Sequence, residues 1–159
     1  MILRQREYFG WPPTEADPAE PSEGLVLHYN GSATSLREHS DCVAYWQRVR
    51  RFHIDGNGWV DIGYSFGVCP HGEVFAGRGF DRYQAAQGTT AGNTDYYSVS
   101  LMIGGVESPT EVQLGGLAEF RGLLLDLGVT PCVRGHREFF ATECPGAVVG
   151  ELLDQGFFS

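Results

Sequence analysis

Residues 135–146 read Gly135-His136-Arg137-Glu138-Phe139-Phe140-Ala141-Thr142-Glu143-Cys144-Pro145-Gly146, or "GHREFFATECPG". One histidine and one cysteine stand here in a chain that holds five histidines and four cysteines. The fixed φ of Pro145 restricts the chain after Cys144, and Gly146 lets the backbone turn. The pair becomes a site only if the rest of the chain supplies a third ligand and a reactive group. Alone, such a histidine is as readily a hydrogen-bonded core residue, and such a cysteine an inert buried thiol.

Working outward, Pro131 to Arg134 reads as a short strand leading into Gly135-His136, and Ala147 to Asp154 as a final helix. Gly24-Leu25-Val26-Leu27-His28 is a short apolar run typical of a buried strand, and it too ends on a histidine. Ser35 with Glu38 three residues on matches a capping box. Val43, Trp46, Val49 and Phe52 then recur at a spacing of three, which predicts a helix over about 36–51. Phe66 to Cys69 and Glu73 to Phe75, joined at Pro70-His71-Gly72, predict a hairpin. Ser98 to Ile103 is a further strand. Thr110 to Leu127 reads as a helix with Leu114, Leu117, Phe120, Leu124 and Leu127 on one face, stopped by Gly128. Strands alternating with helices indicate an α/β domain with a central mixed sheet flanked by helices.

Residues 11–23, "WPPTEADPAEPSE", are rich in proline and acid, so 1–23 is expected to be an extended lead-in. At 159 residues the chain has room for one domain and one sizeable core. Twenty acidic against eleven basic residues give a net charge of −9. That argues against phosphate-contacting nucleic-acid binding and against docking on an anionic membrane. No apolar run approaches membrane-spanning length, so no membrane insertion is expected. The first twenty residues show neither a long apolar core nor a small-residue cleavage site. Synthesis in the cytoplasm without a signal peptide is therefore expected, with Cys42, Cys69, Cys132 and Cys144 as reduced thiols or ligands.

In α/β domains functional side chains gather at strand ends, where His28 and His136 both fall. With Cys144 they make a three-ligand zinc set with one open position, the catalytic rather than the closed structural arrangement. Zinc deaminases also use His and Cys, but their H-x-E and P-C-x-x-C signatures are absent. Cys69-Pro70-His71 looks like a fragment of a metal site, but a hairpin turn with a buried thiol explains it better. His39 and His53 read as surface or groove-rim residues, and Cys42 and Cys132 as core.

"LHYNG" (27–31), "GWVDIGYSF" (58–66), "GEVFAGRG" (72–79) and "GHREFFATECPG" (135–146) occur in an order that resembles one family. It is that of the zinc-dependent N-acetylmuramoyl-L-alanine amidases, or type 2 amidases, which share a fold with peptidoglycan recognition proteins and some bacteriophage endolysins. The resemblance runs from about Gly24 to Leu153. It implies a catalytic domain over 24–159 with one zinc per chain at the floor of a substrate cleft. His28, His136 and Cys144 are then the ligands, and Tyr64 and Thr142 catalytic. Trp59, Arg78 and Asn93 are implied on the substrate groove. The Gly58-Trp59 pair resembles the choice favouring meso-diaminopimelate over lysine stems, with Arg78 as a candidate cation for the extra carboxylate.

Departures from the family are Tyr29-Asn30 after the first ligand, Gly88-Thr89-Thr90 where many members carry "GAH", and no clear pair for the disulfide of animal members. The implied activity is hydrolysis of the bond between muramic acid and L-alanine in peptidoglycan by a monomeric phage or bacterial lytic enzyme. Such an enzyme would act on the wall after release, with a holin if it comes from a phage. A non-catalytic peptidoglycan-binding module is the alternative. Pure binders commonly lose the cysteine ligand, and this chain keeps Cys144.

Overall fold

The computed structural model describes all 159 residues. Its frame is one sheet of six strands: β1 (Leu3–Arg4), β2 (Leu25–Asn30), β3 (Phe66–Val68), β4 (Val74–Ala76), β5 (Tyr97–Gly104) and β6 (Val133–Gly135). They lie in the order β1-β4-β3-β5-β2-β6. The β3–β4 hairpin is the antiparallel pair, and the other four pairings are parallel. The helices are α1 (His39–Arg51), α2 (Thr90–Asp95), α3 (Glu111–Asp126) and α4 (Gly146–Asp154). The expected mixed sheet flanked by helices is the fold observed.

The two-residue period of the strands sorts side chains between the two faces. Leu25, Leu27, Val99, Leu101 and Ile103 point to one face, where Leu117, Phe120 and Leu124 of α3 and Val149 of α4 cover them. Phe75 and Met102 point to the other, beneath Cys42, Tyr45 and Trp46 of α1. His28 follows Leu27 and so leaves the α3 and α4 face. A β-bulge between His28 and Asn30 breaks the pairing with β5 at this point, as bulges beside functional sites often do. Between β3 and β5, the Ser98 hydroxyl accepts from the Ser65 N–H at 2.9 Å, and the Ser65 hydroxyl accepts from the Ser98 N–H at 3.1 Å.

Three expectations need correction. The capping box of α1 is Glu38 and Asp41, whose carboxylate accepts the Glu38 N–H at 2.9 Å, while Ser35 sits at φ +52°. Glu107 holds that loop instead, accepting the Thr34 and Ser35 N–H groups at 2.9 and 2.8 Å. Phe52 is 64% exposed. A spacing of three falls about 60° short of a full turn at each step, so three steps carry Phe52 to the opposite side from Val43. The buried stripe is Cys42, Tyr45 and Trp46.

The third correction concerns residues 1–23, which are more than a lead-in. β1 extends the sheet edge beside β4, and Phe9 and Trp11 are buried under α1. A two-residue strand is too short to show any periodicity in sequence.

Asp61 ties this N-terminal segment to the centre. Its carboxylate is 1% exposed and ion-paired with Arg6 and Arg50, each at 2.8 Å. Burial pushes the carboxyl up, but hydrogen bonding with Thr14 and Arg50 and the charge of Arg6 outweigh it and leave it below its ordinary value. A depressed carboxyl contributes stability at pH above its unfolded value, and that contribution is lost as the pH falls through the folded one. Asp61→Asn, which leaves Arg6 and Arg50 without their carboxylate, is expected to cost about 3 kcal/mol in urea unfolding at neutral pH. The gap from wild type should shrink as the pH drops below about 4. A loss under about 1 kcal/mol at neutral pH would remove Asp61 from this role.

Candidate active site

Strand β2 delivers His28, 1% exposed, and β6 delivers His136 through the short helical turn His136–Glu138. The two imidazole rings lie 4.5 Å apart. Cys144 arrives on the loop before α4. Its carbonyl accepts the Arg137 N–H at 2.9 Å, which binds this loop to the histidine turn. Gly146 has φ +87°, and a Cβ there would stand 2.5 Å from the Tyr29 ring, so only glycine fits the turn that follows Cys144. The donor atoms of His28, His136 and Cys144 all lie within 4.8 Å of one another.

Hydrogen bonding fixes which His28 nitrogen faces the centre. Gln87 donates to Gln84 Oε1 at 3.1 Å and to the Gly92 carbonyl at 3.0 Å, so its own Oε1 is left to accept from His28 Nε2 at 2.9 Å. Gln84 in turn donates to the Tyr96 carbonyl. With Nε2 protonated, His28 Nδ1 keeps its lone pair and stands 3.6 Å from Cys144 Sγ. His136 Nε2 is buried without any partner. An orphaned buried imidazole nitrogen is costly unless something binds it.

The donor set fits a zinc ion. Two donors at tetrahedral angles, with Zn–S near 2.3 Å and Zn–N near 2.1 Å, stand about 3.6 Å apart, which is the spacing of His28 and Cys144. Burial, reinforced by the neighbouring His136, pulls His28 down to about 3, and burial lowers His136 also, so both rings are neutral ligands. Burial pushes the Cys144 thiol up to about 11, so a cation is what would hold it as thiolate at neutral pH.

The three donors line a cleft of about 500 Å³ together with Tyr64, His53, Trp59 and Thr142. Two further concavities share its walls. One continues past Tyr29 and Glu143, and the other past Trp59 and Ala86, so the donors sit midway along an extended groove. Tyr64 stacks on Trp46 of α1 at 6.1 Å and lies 5.2 Å from the His28 ring. Burial raises its phenol, which keeps the hydroxyl protonated. The Thr142 hydroxyl accepts the Cys144 N–H at 3.2 Å, so it shapes the cysteine loop while lining the cleft.

The remaining groove residues divide. Trp59 lines the cleft and packs on His53 at 4.8 Å. Asn93 borders the adjoining concavity, but its carbonyl is committed to the Ala86 and Gln87 N–H groups at 3.1 and 2.8 Å. Asn93 thus holds the loop that carries Gln87. Arg78 corrects the expectation. It is 5% exposed and donates to the Ile62 and Tyr83 carbonyls, each at 2.7 Å, so it braces two loops and presents no cation to a substrate.

Gln87 carries no motif in the sequence, and its part emerges only when the 84–93 loop folds over His28. His53, expected at the surface or groove rim, lines the cleft. His53 Nδ1 accepts the Gly63 N–H at 2.9 Å, and burial, with Arg78 nearby, pulls the ring down to about 4. Its protonated Nε2 is therefore a neutral donor on the cleft wall.

No family model matches the chain. Peptidoglycan-recognition protein SC1a of Drosophila melanogaster is 31% identical over 131 residues, covering 79% of this chain and 68% of that protein. The N-acetylmuramoyl-L-alanine amidase of Sus scrofa is 34% identical over 136 residues, 81% of this chain and 22% of that protein. The structure of Drosophila PGRP-LB superposes with a TM-score of 0.87 at 26% identity, covering 99% of this chain and 95% of that one. A complex of tracheal cytotoxin with the ectodomains of PGRP-LCa and PGRP-LCx matches with a TM-score of 0.87 at 27% identity, covering 98% and 96%. On its sequence and its fold alike, the chain belongs to the family of peptidoglycan-recognition proteins and N-acetylmuramoyl-L-alanine amidases.

Proposed function

We propose that this chain is a zinc-dependent amidase that hydrolyses the bond between N-acetylmuramic acid and L-alanine in peptidoglycan. The observation that carries the reading is the convergence of donor atoms from His28, His136 and Cys144 midway along an extended groove. His28, His136 and Cys144 would hold the ion. When bound, zinc supplies Lewis-acid polarisation of the substrate carbonyl and a lowered pKa for water. The groove positions a glycan strand and its stem peptide so that the lactyl carbonyl lies over the donors. Tyr64, kept protonated and held by Trp46, donates a hydrogen bond to the carbonyl oxygen as negative charge develops on it. Thr142 keeps the Cys144 loop in register, and Gln87 keeps Nδ1 of His28 free. Hydrolysis adds hydroxyl to the lactyl acyl carbon and a proton to the departing L-alanine nitrogen.

Relatives named as recognition proteins make a pure peptidoglycan-binding module the competing reading, and the ligand set separates the two. Cys144→Ser is expected to weaken zinc at this centre by orders of magnitude and abolish wall lysis while leaving the protein folded. Undiminished lysis by Cys144→Ser would refute the assignment. Tyr64→Phe preserves ring packing, so zinc content and melting temperature should hold while turnover of intact peptidoglycan falls roughly ten- to a thousandfold. Unchanged turnover would show that the hydroxyl has no catalytic part.

A further inference from the structure

A second cluster of metal-binding residues lies outside the groove. Cys42 on α1 and Cys69 at the end of β3 are both fully buried and packed in one core. His71 occupies the β3–β4 turn, and its Nε2–H donates to the Arg37 carbonyl at 2.8 Å. Its Nδ1 lone pair therefore points inward, 3.5 Å from Cys42 Sγ. His39, the first residue of α1, offers a donor within 4.8 Å of those of Cys69 and His71. None of the four lines the cleft of His28 and Cys144.

Core packing alone does not account for this arrangement. Two thiols and two imidazoles from two segments, α1 and residues 69–71, lie close together where any apolar side chain would fill space as well. The spacing between His71 Nδ1 and Cys42 Sγ matches the roughly 3.6 Å expected of two donors on one tetrahedral zinc. A ligating imidazole usually gives its other N–H to a carbonyl or carboxylate, as His71 does to Arg37.

We propose that His39, Cys69 and His71 bind a second zinc-class ion, with the Cys42 thiol beside them. Lying outside the groove, the ion would fasten the start of α1 to the β3–β4 turn. That fastening bears on the cleft, because α1 also carries the Trp46 against which Tyr64 stacks.

Metal content of the purified full-length protein, measured by elemental analysis after equilibration with limiting free zinc, tests this. Wild type should carry about two zinc ions, and Cys144→Ser and His71→Ala about one each. Cobalt supplies a second readout. Loaded into Cys144→Ser, it should give thiolate-to-cobalt charge-transfer absorption that His71→Ala weakens in the same background. His71 is exposed in a turn, so this variant is expected to fold; Cys69→Ser repeats the test at the buried position. One zinc in wild type and none in Cys144→Ser would overturn the second site, as would a Cys42–Cys69 disulfide, read as a loss of two hydrogens in the intact mass. A single zinc lost in His71→Ala but kept in Cys144→Ser would uphold the second site and instead contradict the ligand assignment in the groove.

Discussion

The cleft depends on a buried histidine with one nitrogen turned to the groove. His28 sits on a central strand with Nε2 committed to Gln87, and Nδ1 faces the Cys144 thiol at 3.6 Å. Leaving that buried lone pair unpartnered would cost about 1–3 kcal/mol, and the Cys144 S–H or a metal ion meets the need. The fold is arranged to sustain it: parallel pairing of β2 with β5 and β6 fixes both histidines, and the Arg137 N–H to Cys144 carbonyl bond brings the thiol to them.

Support for the centre comes from opposite sides. On one, the glutamine chain through Gln87 and Gln84 sets the His28 tautomer, and Asn93 pins the backbone carrying it. On the other, α1 packs Trp46 against the sheet, and its indole N–H donates to the Ala76 carbonyl at 2.9 Å. Tyr64 stacks on that indole, so its hydroxyl is aimed by a rigid partner. Arg78 serves the same end from below by clamping the Ile62 and Tyr83 carbonyls beneath the cleft wall. With Arg78 so committed, the diaminopimelate preference read from Gly58-Trp59 loses its expected cationic partner.

The sequence disclosed what periodicity and motif spacing can carry. β2, the β3–β4 hairpin, β5 and α3 were legible because each is a continuous apolar run or an amphipathic stripe bounded by turn residues. Strand ends and Cys-Pro-Gly marked the candidate ligands, and the family resemblance of the surrounding motifs tied them into one set. What escaped was tertiary in origin. β1 is a strand only because β4 lies beside it, and α2 is six residues begun by Thr89, whose hydroxyl accepts the Gly92 N–H. The start of α1 moved because Glu107, some seventy residues away, organises the loop at Ser35. Arg78 looked like a groove cation because sequence cannot tell an exposed guanidinium from one spent on backbone carbonyls. The hairpin turn with a buried thiol expected at Cys69-Pro70-His71 is the one observed, but spacing alone could not place Cys42 and His39 of α1 beside it.

The proposed reaction breaks one particular amide bond. Mass analysis of the soluble and insoluble products of purified peptidoglycan incubated with the zinc-loaded protein tests it directly. Free stem peptides beginning at L-alanine are expected, together with glycan strands whose muramic acid lactyl groups end in free carboxylates. Peptidoglycan that is bound but released uncut, or products cleaved at any other bond, would contradict it.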